Sequence, residues 1–364
     1  MQLPDFPWDT LVAAATRART HPGGIVDLSV GTPVDPTPRV VQDALRHASD
    51  APGYPQTWGT PALRETVARW FARRRGVPDV DPDAVLPTVG SKELVAWLPT
   101  LLELGAGDVV VHPEIAYPTY DVGARIAGAT PVAADGTAQL GPATTGGRVR
   151  LLWVNSPSNP TGRVLGVEHL AKVVAWARSR GVVVASDECY AELGWDGQEV
   201  PSILDPRVCG GSHEGLLAVY SLSKQSNLAG YRAAFVAGDP ALVRRLLEIR
   251  KHAGMIVPWP VQQAMVAALG DDLHVAAQRA RYGRRRAVLR RALEAAGFRI
   301  DHSDAGLYLW ATRGEDAWTT VGALADRGIL VAPGSFYGAA GAEHVRVALT
   351  ATDERIEAAA QRLS

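Results

Sequence analysis

The residues best placed to do chemistry begin with a lysine between serines, Ser221-Leu-Ser-Lys224, followed eight residues later by Arg232. A lysine amine can condense with a carbonyl. Two hydroxyls and a guanidinium are suited to holding a phosphate. Pyridoxal 5′-phosphate (PLP) carries both an aldehyde and a phosphate, so it answers both demands. The apolar run Leu216-Leu-Ala-Val-Tyr220 reads as a buried strand that delivers Lys224 at its end. Asp187 follows another such run, Val182–Ala185. A carboxylate there can stabilise a proton on a pyridine nitrogen and so make the ring an electron sink; Glu188 is the adjacent alternative. Gly90-Ser-Lys92 opens an amphipathic stretch after Val85–Val89. Backbone N–H groups at a helix start, with Ser91, form an anion site. Arg346 lies between Val345 and Val347 in a short strand and faces away from them. Its fork matches a carboxylate.

These segments recur with others in one order: Gly90-Ser-Lys92, Tyr117-Pro-Thr-Tyr120, Asn155-Ser-Pro-Ser-Asn-Pro-Thr-Gly162, Ser186-Asp-Glu-Cys-Tyr190, Ser221 to Arg232, and His344-Val-Arg346. The chain thereby resembles the class I/II aminotransferases, the fold-type I PLP enzymes, over nearly its whole length. Phe6-Pro-Trp-Asp-Thr10, Gly31-Thr-Pro-Val-Asp35 and Leu349-Thr-Ala-Thr-Asp-Glu354 carry a finer likeness to the actinobacterial N-succinyldiaminopimelate aminotransferases. The resemblance implies that Lys224 binds PLP, that Asp187 rather than Glu188 faces the pyridine nitrogen, and that Tyr117 stacks on the ring. It implies that Asn159 and Tyr190 hydrogen-bond the phenolate oxygen. Ser91, Lys92, Ser221, Ser223 and Arg232 would surround the phosphate, with Tyr54 reaching it from a neighbouring subunit of a homodimer. Gly31, Thr32, Asn159 and Arg346 would bind substrate, Arg346 through the α-carboxylate. One departure is Ala234, where the family has glycine two residues beyond the arginine.

Something must position these residues. Apolar runs at Val85–Val89, Val109–Val111, Val149–Val154, Val182–Ala185, Leu216–Tyr220 and Ala233–Ala237 alternate with amphipathic stretches such as Val167–Arg180. That alternation predicts an α/β fold with a mostly parallel sheet flanked by helices, and binding residues at the carboxyl ends of its strands. After residue 240 a long arginine-rich helix, Arg279 to Ala296, leads into short strands that suit a small α+β domain. The resemblance adds the N-terminal segment to that small domain, so the expected division is a large PLP-binding domain over 37–280 and a discontinuous small domain from 1–36 and 281–364. The basic cluster Arg284-Arg-Arg286 with Arg290 and Arg291 is expected as a solvated or interface face of that helix rather than a nucleic-acid surface. Thr144-Thr-Gly-Gly147 and Gly338-Ala-Ala-Gly341 are expected as loops.

Across 364 residues the formal net charge is −1, with 47% hydrophobic and 21% charged residues, so no global field points to nucleic acid or a membrane surface. No apolar run has membrane-spanning length and no signal peptide is evident. The two cysteines, Cys189 and Cys209, form neither a disulfide framework nor a metal spacing. A cytoplasmic, metal-free enzyme is expected, with Cys189 as buried filler. The family resemblance implies transamination, and the finer likeness implies N-succinyl-2-amino-6-ketopimelate as acceptor and glutamate as donor, in lysine and diaminopimelate biosynthesis. Aspartate-, alanine- or aromatic-type aminotransferases and PLP lyases or decarboxylases share the same motifs. Lys92 and Lys251 are candidates for the acceptor's remote end.

Overall fold

A computed structural model describes residues 3–140 and 146–364; Thr144 and Thr145 of the expected loop lie outside the described residues. Near the N-terminus a short strand, β1 (Val26–Asp27), stands apart from the strands of the main sheet. Those are β2 (Val85–Val89), β3 (Asp108–His112), β4 (Thr130–Ala133), β5 (Arg148–Asn155), β6 (Val183–Asp187), β7 (Leu216–Ser221) and β8 (Ala233–Gly238). The C-terminal part adds β9 (Arg299–Asp301), β10 (Tyr308–Thr312), β11 (Ile329–Leu330), β12 (Ala332–Pro333) and β13 (His344–Ala348).

The main sheet has seven strands in the order β2-β8-β7-β6-β5-β3-β4. All pairings are parallel except those of β8, which runs antiparallel to β2 and β7. Successive side chains of the central strands go to opposite faces, as the pleat requires. Val111, Tyr220 and Phe235 pack on one side, while Val110, Val219 and Val236 pack on the other. Burial on both faces explains why these strands read as continuous apolar runs. The edge strand β4 was not among the expected ones. It is only half-buried and contains Pro131, so no apolar run marks it.

A second sheet of four antiparallel strands, β12-β13-β10-β9, lies in the C-terminal part. β1 pairs in parallel with β11, and Val26 and Leu28 join the hydrophobic cluster of Leu309, Val345 and Val347. The arginine-rich helix spans Asp272–Ala295, beginning earlier than expected because the Asp271 side chain caps it at Leu273 N–H (3.0 Å). Its basic cluster is a solvated face only in part, with Arg284 and Arg291 exposed. Arg285 is buried between Asp35 (2.7 Å) and Asp353 (2.6 Å), while Arg286 pairs with Asp196 (3.1 Å).

Candidate active site

Strand register brings distant motifs to one edge of the main sheet. In the parallel strands Asn155 is opposite Asp187, and Asp187 is opposite Val219, so β7 ends two residues on at Ser221. The antiparallel β8 begins at this same edge, with Ala234 opposite Ser221. Arg232 therefore arrives from a segment that precedes a strand. Val89 of β2 pairs with Ala233, which puts Gly90 and Ser91 alongside Arg232. Lys224 sits in a single helical turn after β7, which Ser221 caps by accepting from Ser223 N–H (3.2 Å). Arg346 comes from β13, across the cleft, where it is opposite Trp310 of β10 and Ala332 of β12.

Together these residues line a cavity of about 470 Å³, with Ser91, Lys92, Tyr117, Asn159, Tyr190, Gly31 and Thr32 also in its wall. The Lys224 amine donates to the Gly31 carbonyl. Asp187 is buried and accepts from Tyr120 Oη (2.9 Å) and from Cys189 N–H (3.1 Å). Burial pushes its carboxyl above the ordinary value, and the contacts from Cys189 and Tyr120 only partly oppose this. Glu188 points elsewhere: it binds Arg75 (3.2 Å), Ser202 (3.0 Å) and Ile203 N–H (2.8 Å). Of the two acids, only Asp187 lines the cavity.

Arg346 is 2% exposed. It donates to Asn159 Oδ1 (3.0 Å) and to the Ser29 carbonyl (2.6 Å), and its Nε–H has no partner among the described residues. Its guanidinium carbon lies 4.0 Å from the centre of the Tyr308 ring. Arg232 spends one N–H on the Ala229 carbonyl (2.7 Å), and among the described residues no carboxylate pairs with it. Gly90 has φ +82°, and a Cβ there would come within 2.1 Å of Arg232 Nη2. Arg232 thus packs against the bare backbone of Gly90, in the same cavity wall as Ser91 and Ser223.

Four expected residues need comment. Tyr54 is fully exposed and does not line this chain's cavity. Lys251 does not line this chain's cavity; it lies on the surface, where Glu248 (2.7 Å) holds it. Cys189 is buried, but in the cavity wall rather than as mere filler. Lys92 lines the cavity with no acid partner among the described residues, and its amine stands 5.4 Å from the centre of the Phe6 ring.

The sequence motifs left other residues without a role. Asn155 ties the strand ends together, donating to the Pro157 (3.1 Å) and Asp187 (3.0 Å) carbonyls and accepting from Asn159 N–H (2.8 Å). Tyr120 supports Asp187. Phe6 and Trp8 close one side of the cavity, and Tyr308 bonds Tyr190 hydroxyl to hydroxyl (3.2 Å). Tyr120 stood inside a motif, but nothing in linear spacing pairs Tyr308 with Tyr190.

The family model for class I and II aminotransferases matches residues 24–363. The chain belongs to that family. Its enzymes are PLP-dependent and exchange amino and keto acids, so this aminotransferase takes PLP as its cofactor. It is 62% identical over 363 residues to the 4-dedimethylamino-4-oxo-anhydrotetracycline transaminase OxyQ of Streptomyces rimosus, covering 100% of this chain and 99% of that one. It is 64% identical over 362 residues to a protein of Mycobacterium tuberculosis named "probable aminotransferase", covering 100% and 85%. Among solved structures it resembles one from Thermus thermophilus named "probable N-succinyldiaminopimelate aminotransferase", with TM-score 0.88, 29% identity, and 98% and 99% of the two chains covered. The residues present suit the cofactor. A lysine amine, a buried acid and, among the described residues, a guanidinium without a counter-ion stand in one cavity, and Arg346 brings to it a buried N–H with no partner among those residues. Among the described residues no cluster suits a metal, and no helix is long and apolar enough to cross a membrane.

Proposed function

We propose that this aminotransferase acts on an acidic, acylated keto acid of the N-succinyl-2-amino-6-ketopimelate type, with glutamate as donor, in diaminopimelate and lysine biosynthesis. Lys92 carries the proposal. Of the basic side chains lining the cavity, Arg346 suits the α-carboxylate, Arg232 the phosphate and Lys224 the cofactor, which leaves Lys92 for a remote carboxylate. Phe6 and Trp8 offer an apolar wall for the chain between, and the buried indole N–H of Trp8 has no acceptor.

The roles within the site follow from the chemistry. Bound PLP supplies a carbonyl for an amine and an electron-withdrawing ring that makes the substrate Cα–H acidic. Lys224 Nζ holds the cofactor between turnovers and takes the proton from Cα. With PLP bound, Asp187 would keep the ring nitrogen protonated, Tyr117 would cover the ring, and Asn159 and Tyr190 would donate to the phenolate oxygen. Ser91, the Lys92 backbone, Ser221, Ser223 and Arg232 hold the phosphate. Gly31 and Thr32 close over the substrate carboxylate on Arg346. We further propose a homodimer in which Tyr54, fully exposed in the single chain, reaches the neighbouring phosphate site. The chain divides into a large domain over 37–280 and a small one from 1–36 and 281–364; the pairing of β1 with β11 supports this.

A second reading is favoured by the 62% identity to OxyQ over the whole chain. The rings of Phe6, Trp8 and Tyr117 could flank a flat polycyclic ketone. An acceptor panel separates the two. The first reading expects kcat/KM for the succinylated keto acid to exceed that for its unsuccinylated form by at least about tenfold, since one charged contact is at stake. It also expects Lys92→Ala to abolish that preference. Equal values, or faster turnover of a polycyclic ketone, would reject the succinyl assignment.

A further inference from the structure

Tyr308 lines the cavity, and neither the family motifs nor the roles above use it. Its ring lies beneath Arg346, with the guanidinium carbon 4.0 Å from the ring centre. Its hydroxyl is 3.2 Å from that of Tyr190, and both side chains are buried. Against its other side lies Gly31, where a Cβ would fall 2.1 Å from the Tyr308 hydroxyl oxygen. The Gly31 carbonyl in turn accepts from Lys224. One side chain thus touches the carboxylate arginine, the tyrosine facing the cofactor oxygen, and the backbone that receives the lysine amine.

We propose that Tyr308 is a positioning residue whose hydroxyl donates to Tyr190, so that Tyr190 keeps its own proton for the phenolate oxygen of PLP. The proposal rests on the role given to Tyr190 above. A phenol has one proton to give: if Tyr190 spends its own on the phenolate oxygen, the 3.2 Å contact is made by Tyr308 donating to it. The Arg346 guanidinium over the Tyr308 ring, 4.0 Å from its centre, favours the same direction, because a positive charge there makes the Tyr308 hydroxyl the better donor. Cys189, Tyr282 and Tyr337 also face this pair, but none brings a positive charge to it. Two hydroxyls in series polarise each other, so Tyr190 is a stronger donor with Tyr308 behind it than alone.

The consequence can be read without turnover. A donor to the phenolate oxygen favours its negative charge and so lowers the proton affinity of the lysine-linked nitrogen. The pH midpoint of the bound cofactor's visible band reports that affinity. In the PLP-loaded protein, Tyr190→Phe should raise the midpoint by about one unit or more, and Tyr308→Phe by about half a unit. Tyr308→Phe keeps the ring under Arg346, so KM for amino and keto acids should stay within about threefold. Tyr308→Leu removes the ring as well and should raise both KM values severalfold. If Tyr190→Phe moves the midpoint and Tyr308→Phe leaves it unchanged, the series arrangement is wrong and the role of Tyr190 stands. If Tyr190→Phe itself has no effect, Tyr190 does not serve the cofactor oxygen, and the inference falls with it.

Discussion

Replacing Arg346 by lysine keeps the charge and removes the fork. In the native cavity the guanidinium is buried, spends one N–H on Asn159 and one on the Ser29 carbonyl, and retains an unpartnered Nε–H. A lysine ammonium is a point charge; it cannot hold Asn159 and Ser29 while presenting two parallel donors to a carboxylate. The loss is one charge-assisted hydrogen bond, on the order of 1.5–3 kcal/mol. That corresponds to about a 10- to 150-fold loss of kcat/KM. Because one carboxylate site serves amino donor and keto acceptor, the loss should appear equally in both half-reactions. Each can be followed alone as the spectral change of the bound cofactor in a single turnover. The KM values should carry most of the change, because the carboxylate is gripped before and during the chemistry. A penalty confined to one half-reaction, or none in a folded variant, would refute the single-site reasoning.

Further outcomes follow from the same geometry. Asp187 has a raised carboxyl in the native protein, so its ionisation costs the cofactor-free fold stability as pH rises from the unfolded value of 3.8 through the folded one. Asp187→Asn should therefore raise the unfolding temperature of cofactor-free protein at neutral pH while lowering turnover of the loaded enzyme by about two orders of magnitude; a drop in both would mark Asp187 as structural. Gly90→Ala would force a Cβ into Arg232 and a side chain into a backbone region at φ +82° that only glycine visits easily. PLP binding should weaken by about tenfold or more, measured by cofactor fluorescence, and unchanged affinity would remove Arg232 from the phosphate site. Mixing inactive Lys224→Ala protein with Tyr54→Phe protein should recover activity through hybrid dimers, each with one intact site. No recovery between subunits shown to exchange would count against a shared site.

The central strands were legible because they are buried on both faces and so appear as unbroken apolar runs. The edge strand β4 is only partly buried and has a proline within it, and gave no such run. Lys224, Asp187 and Arg232 could be picked out because their chemistry is tied to strand ends. The choice between Asp187 and Glu188 could not be made from spacing alone: adjacent residues take opposite faces, and only the fold brings Arg75 and Ser202 to Glu188. Tyr308 was invisible for the same reason, since 118 residues separate it from Tyr190. Arg285 looked like part of a solvated basic face until Asp35 and Asp353 arrived from distant parts of the chain.

The account depends most on Lys224 being the lysine that carries PLP. Reduction of the PLP-loaded protein with borohydride, followed by peptide mapping, tests this directly. The visible band should bleach, and one phosphopyridoxyl group should be found on the peptide containing Ser221 to Arg232, attached to Lys224. A label on Lys92 or any other lysine, or protein that stays colourless and unlabelled after PLP is added, would contradict the account.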